Sequence, residues 1–177
     1  YFSRNQLLSE GVEVFENRSA DYTDILHEYF VPRESLSVFV ADLREIVPRH
    51  QADLLNITIR SVDVDEDTLL RYADRPVFSF VMLFNQPRTT EGDRRMQLMT
   101  IELIDAALRA GGRHYLPYRL HATAEQFRQA YPQADKFFEW KRTFDPQDRF
   151  VNQFYLQYRP LVADPAVPRI PVQLEIP

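Results

Sequence analysis

Between Gly111 and His121 the chain gathers two arginines, two histidines and two tyrosines around a single proline, in the run Gly-Gly-Arg-His-Tyr-Leu-Pro-Tyr-Arg-Leu-His. Arginine brings a permanent positive charge and a flat fork of donors. Tyrosine brings a stacking face with a hydroxyl at its tip. Together they suit a polar–aromatic wall facing a planar ligand. The plainer reading is a strand and turn held by aromatic packing. Pro117 is out of place in a central strand, so this strand lies at a sheet edge or ends at Leu116.

Other chemistries find less support. Asp63-x-Asp65-x-Asp67 has the alternate spacing of a calcium loop, but Thr68 stands where that loop needs glycine and Asp74 where it needs a bidentate glutamate. It reads as a solvated acidic turn. His27, His50, His114 and His121 form neither HExxH nor HxH, and no metal site is expected. No Gly-x-Ser-x-Gly elbow is present, which disfavours a serine hydrolase. Gly11, Gly92, Gly111 and Gly112 are too scattered to form a dinucleotide fingerprint or a P-loop. With no cysteine, thiolate catalysis and iron–sulfur chemistry are excluded. A net charge of −5 argues against a broad nucleic-acid face.

The chain has 177 residues, enough for one domain with its own core or one domain plus a tail. Its 45% hydrophobic and 27% charged residues are ordinary for a globular protein. The apolar runs fall far short of the ~20 residues that span a bilayer. No signal peptide is visible, and the chain is read as cytoplasmic, with membrane association of the full-length protein left open. It begins at Tyr1 rather than Met, so it is expected to be processed or cut from something larger.

The elements that must position these residues follow from the apolar pattern. Residues 1–24 read as a polar lead-in with an apolar patch at Val12, Val14 and Phe15. Ile25–Val31 is β-rich and stops at Pro32. Leu36, Phe39, Val40, Leu43, Ile46 and Val47 recur at helical spacing, and Pro48 marks the end of that helix. Leu54–Val62 predicts a strand, Thr68–Tyr72 a short helix, and Val77–Phe84 a central strand. Thr89 or Thr90 caps a helix whose inner face carries Met96, Met99, Leu103, Ala106 and Ala107, and Gly111-Gly112 ends it. Arg113–Tyr118 reads as a strand. Short helices follow near Ala124–Ala130 and Ala134–Arg142, then an extended segment over Phe150–Tyr158 and a Pro-rich extended tail over 159–177.

This order, β-α-β twice, predicts an α+β fold: a ferredoxin-like split βαβ with an antiparallel sheet and both long helices on one face. C-terminal helices and the extended tail are added to it. The other face of the sheet must then be covered by a partner or exposed to a ligand.

Several stretches have a familiar order and spacing. They are Gly112-Arg113-His114-Tyr115-Leu116-Pro117-Tyr118, Thr123-Ala124-Glu125-Gln126-Phe127, Tyr131-Pro132, and Lys141-Arg142-Thr143-Phe144-Asp145-Pro146-Gln147-Asp148-Arg149-Phe150. Upstream, Glu28-Tyr29-Phe30-Val31-Pro32 precedes an amphipathic helix. Over residues 20–158 this resembles the C-terminal portion of FAD-linked oxidases of the vanillyl-alcohol-oxidase type. That superfamily includes sugar-lactone oxidases, alditol oxidase and decaprenylphosphoryl-ribose oxidase.

The resemblance implies an FAD-dependent oxidoreductase that oxidises an alcohol, of a sugar, polyol or sugar lactone, by hydride transfer to flavin. Residues 25–158 would be its substrate-binding cap. An FAD-binding domain would lie N-terminal to it in the same polypeptide and make most of the FAD contacts, and this fragment alone would be inactive. Tyr118 and Arg119 would be the catalytic residues, although only one of these neighbours could face the ring if the strand continues. Tyr118 stands where the decaprenylphosphoryl-ribose relatives carry lysine, and Arg119 would supply positive charge for reduced, anionic flavin. The small-molecule substrate would meet Asn56, Thr58 and Arg60 on one strand, Ser79 and Val81 (with Leu83) on its neighbour, and His114. Alternation along these two strands is expected to let only half of those positions face the pocket. Arg113, Phe150 and Asn152 would approach the cofactor. The alternative reading is a stand-alone ferredoxin-like module that binds a small molecule, or dimerises through its sheet, without catalysis.

Overall fold

The computed structural model describes residues 19–160. Most of the expected lead-in, with its apolar patch, and nearly all of the expected tail fall outside the described residues.

Strand β1 (Tyr22–Pro32) leads through a 3-10 turn at Arg33–Ser35 into helix α1 (Leu36–Arg49). Strands β2 (Asp53–Val62) and β3 (Val77–Pro87) follow, then helix α2 (Thr90–Arg109) and the two-residue strand β4 (Arg113–His114). The chain continues through helices α3 (Ala124–Ala130), α4 (Ala134–Phe144) and α5 (Gln153–Tyr158). The sheet order is β2-β3-β1-β4, and every neighbouring pair is antiparallel. This is the strand arrangement a split βαβ repeat produces, and the expected α+β fold is observed.

One face of the sheet is the core. Ile25, His27, Tyr29 and Val31 of β1 alternate inward beside Phe80, Met82 and Phe84 of β3. Helix α1 lays Phe39, Leu43, Ile46 and Val47 on that face, and α2 adds Met96, Met99, Leu103, Ile104, Ala106 and Ala107. Phe127, Tyr131, Phe138, Tyr155 and Tyr158 of the C-terminal helical segment join the same cluster. Each fully buried apolar side chain of this kind contributes about 1.5–3 kcal/mol relative to its exposed state.

Helix α2 shows how local sequence sets the boundaries. The Thr89 hydroxyl accepts the Gly92 amide at 3.0 Å and caps the start. At the other end Gly111 takes φ +76°, its amide reaches Leu108 O at 2.9 Å, and the Gly112 amide reaches Ala107 O at 2.7 Å. That paired reversal satisfies orphan carbonyls and turns the chain straight into β4. Gly112 also lies against β1, where an added Cβ would stand 2.3 Å from Phe30 O and 3.1 Å from Val31 Cα. Gly112→Ala is therefore expected to cost about 1–3 kcal/mol by forcing β1 and α2 apart. A thermal unfolding midpoint within a degree of wild type would contradict this.

The structure departs from the sequence reading at several places. Pro48 lies inside the last turn of α1 rather than ending it. Thr68–Tyr72 is not helical: the Asp65 carboxylate captures the amides of Asp67 and Thr68, both at 3.0 Å, and folds the segment as a turn. The strand expected over Arg113–Tyr118 pairs only at Arg113 and His114, at the sheet edge, before Pro117. The segment expected to be extended over Phe150–Tyr158 contains α5, which starts where the Asn152 side chain accepts the Tyr155 amide at 2.9 Å.

Candidate functional site

Among the described residues, no helix covers the second face of the sheet. Register aligns its residues in rows across β2, β3 and β1: Arg60–Ser79–Phe30, Thr58–Val81–Glu28 and Asn56–Leu83–Leu26. Asn56, Thr58 and Arg60 are spaced by two, and so are Ser79, Val81 and Leu83. Both triplets therefore share this face entire, which corrects the expectation that alternation would divide them. Asn56, Thr58 and Arg60 are exposed, and Ser79 is completely buried.

Glu28 is the focus of these rows. Its Oε1 accepts a 2.5 Å hydrogen bond from the Ser79 hydroxyl. The charges of that carboxylate and of Arg60 both act on the Tyr118 phenol. Burial, then the Glu28 carboxylate, push the Tyr118 phenol above its ordinary pKa, with Arg60 opposing. Tyr118 is thus a hydroxyl donor at neutral pH, not a base. Carboxylate, guanidinium, hydroxyls and amide within one shallow surface can bind a molecule rich in hydroxyl and carbonyl groups.

An aromatic row flanks the polar rows. Phe30 stacks on Tyr72 at 4.3 Å, and Tyr115 meets the rings of Phe30, Tyr72 and Tyr118 edge-on at 5.4–5.6 Å. Tyr115 is held there because its amide donates to Glu28 O at 2.9 Å, continuing the β4 edge by one bond. Tyr72 arrives on the loop between β2 and β3. Arg113 fastens that loop, donating to Asp74 Oδ2 at 2.5 Å and to the Arg71 carbonyl.

The remaining predicted residues lie elsewhere. His114 projects onto the helix side, buried beside Tyr131, whose hydroxyl donates to the His114 carbonyl. Burial lowers its pKa to about 4. Arg119 pairs with Asp93 at the start of α2 and reaches Gln86 Oε1 at 3.3 Å, so its guanidinium is committed to the helix side. Arg113 is spent on the loop. Phe150 is 80% exposed and, with the capping Asn152, borders a separate groove of about 330 Å³ with Phe137 and Phe154. Asp145 holds that turn: a bond from Lys141, then the amides of Phe150 and Arg149, lower its carboxyl to about 2.

Beneath the sheet, His27 Nδ1 lies 3.1 Å from the Tyr29 hydroxyl, and Thr100 Oγ1 sits between His27 Nε2 and His121 Nδ1 at 3.4 and 3.0 Å. Burial first, then the nearby His121 and Arg119 charges, lower His27 to about 3; burial and Arg119 lower His121 to about 4, against Asp93. Unfolded imidazoles titrate near 6.5, so the unfolded chain takes up protons first. The stabilisation is complete above pH ~6.5 and is lost as the pH falls towards about 4. His27→Gln is expected to flatten the fall in unfolding midpoint between pH 7 and pH 5. An unchanged slope would show that the buried imidazole does not drive it.

Sequence reasoning passed over Glu28 and Tyr72 as site residues, and named Tyr115 only as part of the aromatic wall. Glu28 left one signal, a carboxylate inside a run of strand-forming apolar residues, where charge is rare unless partnered. A second cleft of about 240 Å³ lies between the end of α1 and the start of α2, lined in part by His50, Arg95, Met96 and Met99. Among the described residues no cluster of acidic and histidine side chains could hold a metal, and no helix is long and apolar enough to cross a membrane.

The three described glycines are all committed to the ends of α2, where Gly92 meets Pro87 O and Gly111 and Gly112 form the C-terminal reversal. None is free to let a phosphate approach the backbone. The described residues thus offer no backbone cradle for a pyrophosphate, and the open face presents polar and aromatic groups instead. A family model described as D-arabinono-1,4-lactone oxidase matches residues 2–158. No curated protein matches the chain.

Proposed function

The chain belongs to the D-arabinono-1,4-lactone oxidase family, and on that premise we propose that it is the substrate-binding domain of an FAD-dependent oxidase acting on a sugar-lactone alcohol. The resemblance read from its motifs agrees with that family. The observation that carries the proposal is the sheet face that no described helix covers, with Glu28 among its polar rows. On the two central strands it joins a carboxylate to a fully buried serine hydroxyl, beside the Arg60 guanidinium on edge strand β2.

Tyr118, Tyr115 and Tyr72 would border the flavin ring, and an FAD-binding domain of the same protein would hold the rest of the cofactor. When bound, FAD would accept the hydride from the alcohol carbon. Asn56, Thr58 and Arg60 would bind hydroxyl and carbonyl oxygens of the substrate and fix its orientation. Glu28 would accept a hydrogen bond from the reacting hydroxyl and take its proton as the C–H bond breaks. Tyr118, held protonated, would donate to Glu28 and close one side of the site. Arg119, on the helix side, has no part in this set.

The test is anaerobic mixing of the flavin-loaded full-length protein with D-arabinono-1,4-lactone. Bleaching of the oxidised flavin band is expected. A full-length protein that carries no flavin, or whose flavin is untouched by sugar lactones and polyols alike, would overturn the reading in favour of a non-catalytic binding module.

A further inference from the structure

We propose that Ser79 is a positioning residue that sets the orientation of the Glu28 carboxylate; this rests on the open face being the substrate site. Ser79 sits in the most apolar of the described strands, where valine or isoleucine would suit the pleated surface better. Its side chain is completely buried, so it cannot itself touch a ligand on that face. A buried hydroxyl must find a partner, and this one donates to Glu28 Oε1 at 2.5 Å.

The geometry gives the bond a purpose. Glu28 lies on β1 across from Val81, and Ser79 lies across from Phe30, so the contact runs diagonally between neighbouring rows. The Glu28 carboxylate also acts through its charge on the Tyr118 phenol. A glutamate side chain has three rotatable bonds, and on an open face most of its rotamers would turn the carboxylate away from any one point. The Ser79 hydroxyl anchors one carboxylate oxygen and so selects among these rotamers. Holding an acceptor in place before substrate arrives is how a site saves orientation entropy in the reacting complex.

The test is a double-mutant cycle of Ser79→Ala and Glu28→Ala in the flavin-loaded full-length protein, with D-arabinono-1,4-lactone as the probe. Ser79→Ala alone is expected to slow the limiting rate of flavin reduction about tenfold, while half-saturation moves less than about twofold. In the Glu28→Ala background the same substitution is expected to change nothing further. Thermal unfolding of the same four proteins supplies a readout independent of any substrate, in which the midpoint shifts of the two substitutions are likewise non-additive. Additive effects in both readouts, or a Ser79→Ala protein that loses only substrate affinity, would overturn the positioning role. A Glu28→Ala protein reduced as fast as wild type would instead remove the site on which the inference rests.

Discussion

Glu28→Gln is expected to slow reduction of the bound flavin by a sugar lactone at least ~100-fold, the usual contribution of a positioned general base. The substitution keeps the shape of the side chain and an acceptor oxygen for Ser79, whose hydroxyl bonds to it at 2.5 Å. What it removes is the ability to take a proton. The loss should therefore appear in the limiting rate, with half-saturation by the lactone little changed. Stopped-flow reduction across a range of lactone concentrations separates the two. A variant reduced within about threefold of the wild-type rate would show that Glu28 does not handle the reacting proton.

Arg113→Ala is expected to cost about 2 kcal/mol or more of stability. The guanidinium is buried, donates to Asp74 at 2.5 Å and to the Arg71 carbonyl, and lies over the Tyr131 ring at 5.8 Å. Its removal leaves a carboxylate and a carbonyl without their donor. The estimate is held below that for a fully buried pair because Asp74 keeps 35% of its side chain exposed. The effect should also be local. The loop that carries Tyr72 onto the open face loses its fastening, so limited proteolysis should cut between Asp63 and Arg75. Chemical denaturation together with protease mapping tests both parts, and a variant as stable and as resistant as wild type would contradict them. Arg113 thus acts on the site through the loop it fastens, which supplies one wall of that site.

The long elements were legible because their apolar spacing is local information. Leu36 to Val47 repeats at helical intervals, Val77 to Phe84 is too short and too apolar for a surface helix, and Thr89 and Gly111-Gly112 carry the cap chemistry of α2 on their face. The split order then restricts the sheet to few topologies, and the observed one is among them. What failed depends on competition between neighbours. Around Asp65 the side chain offers the backbone amides a better partner than the next helical carbonyl, so propensity loses. At Asn152 the same kind of capture starts a helix where the aromatic run suggests an extended chain.

The site was half legible for a different reason. Asn56, Thr58, Arg60, Ser79 and Val81 could be named from two strands, but their meeting on one face depends on register, which pairs Thr58 with Val81 and Val81 with Glu28. No local signal carries that pairing. Arg119 and His114 look equally chemical in the sequence, yet the pleat of β4 turns His114, paired with Tyr29, to the helix side, and Arg119 beyond the strand pairs there with Asp93. Glu28 was hidden by the company it keeps in β1, and only the contact with Ser79 separates it from a tolerated strand carboxylate.

The most direct measurement of the central claim is to fill the open face and watch the flavin. Thr58 is exposed and lies in the row with Val81 and Glu28, so Thr58→Trp should leave folding and flavin content intact. Val38, 54% exposed on α1, provides the control surface for Val38→Trp. Thr58→Trp is expected to abolish reduction of the flavin by D-arabinono-1,4-lactone, and Val38→Trp to leave it at the wild-type rate. Unimpaired reduction in a flavin-loaded Thr58→Trp protein would contradict the assignment of this face as the substrate site.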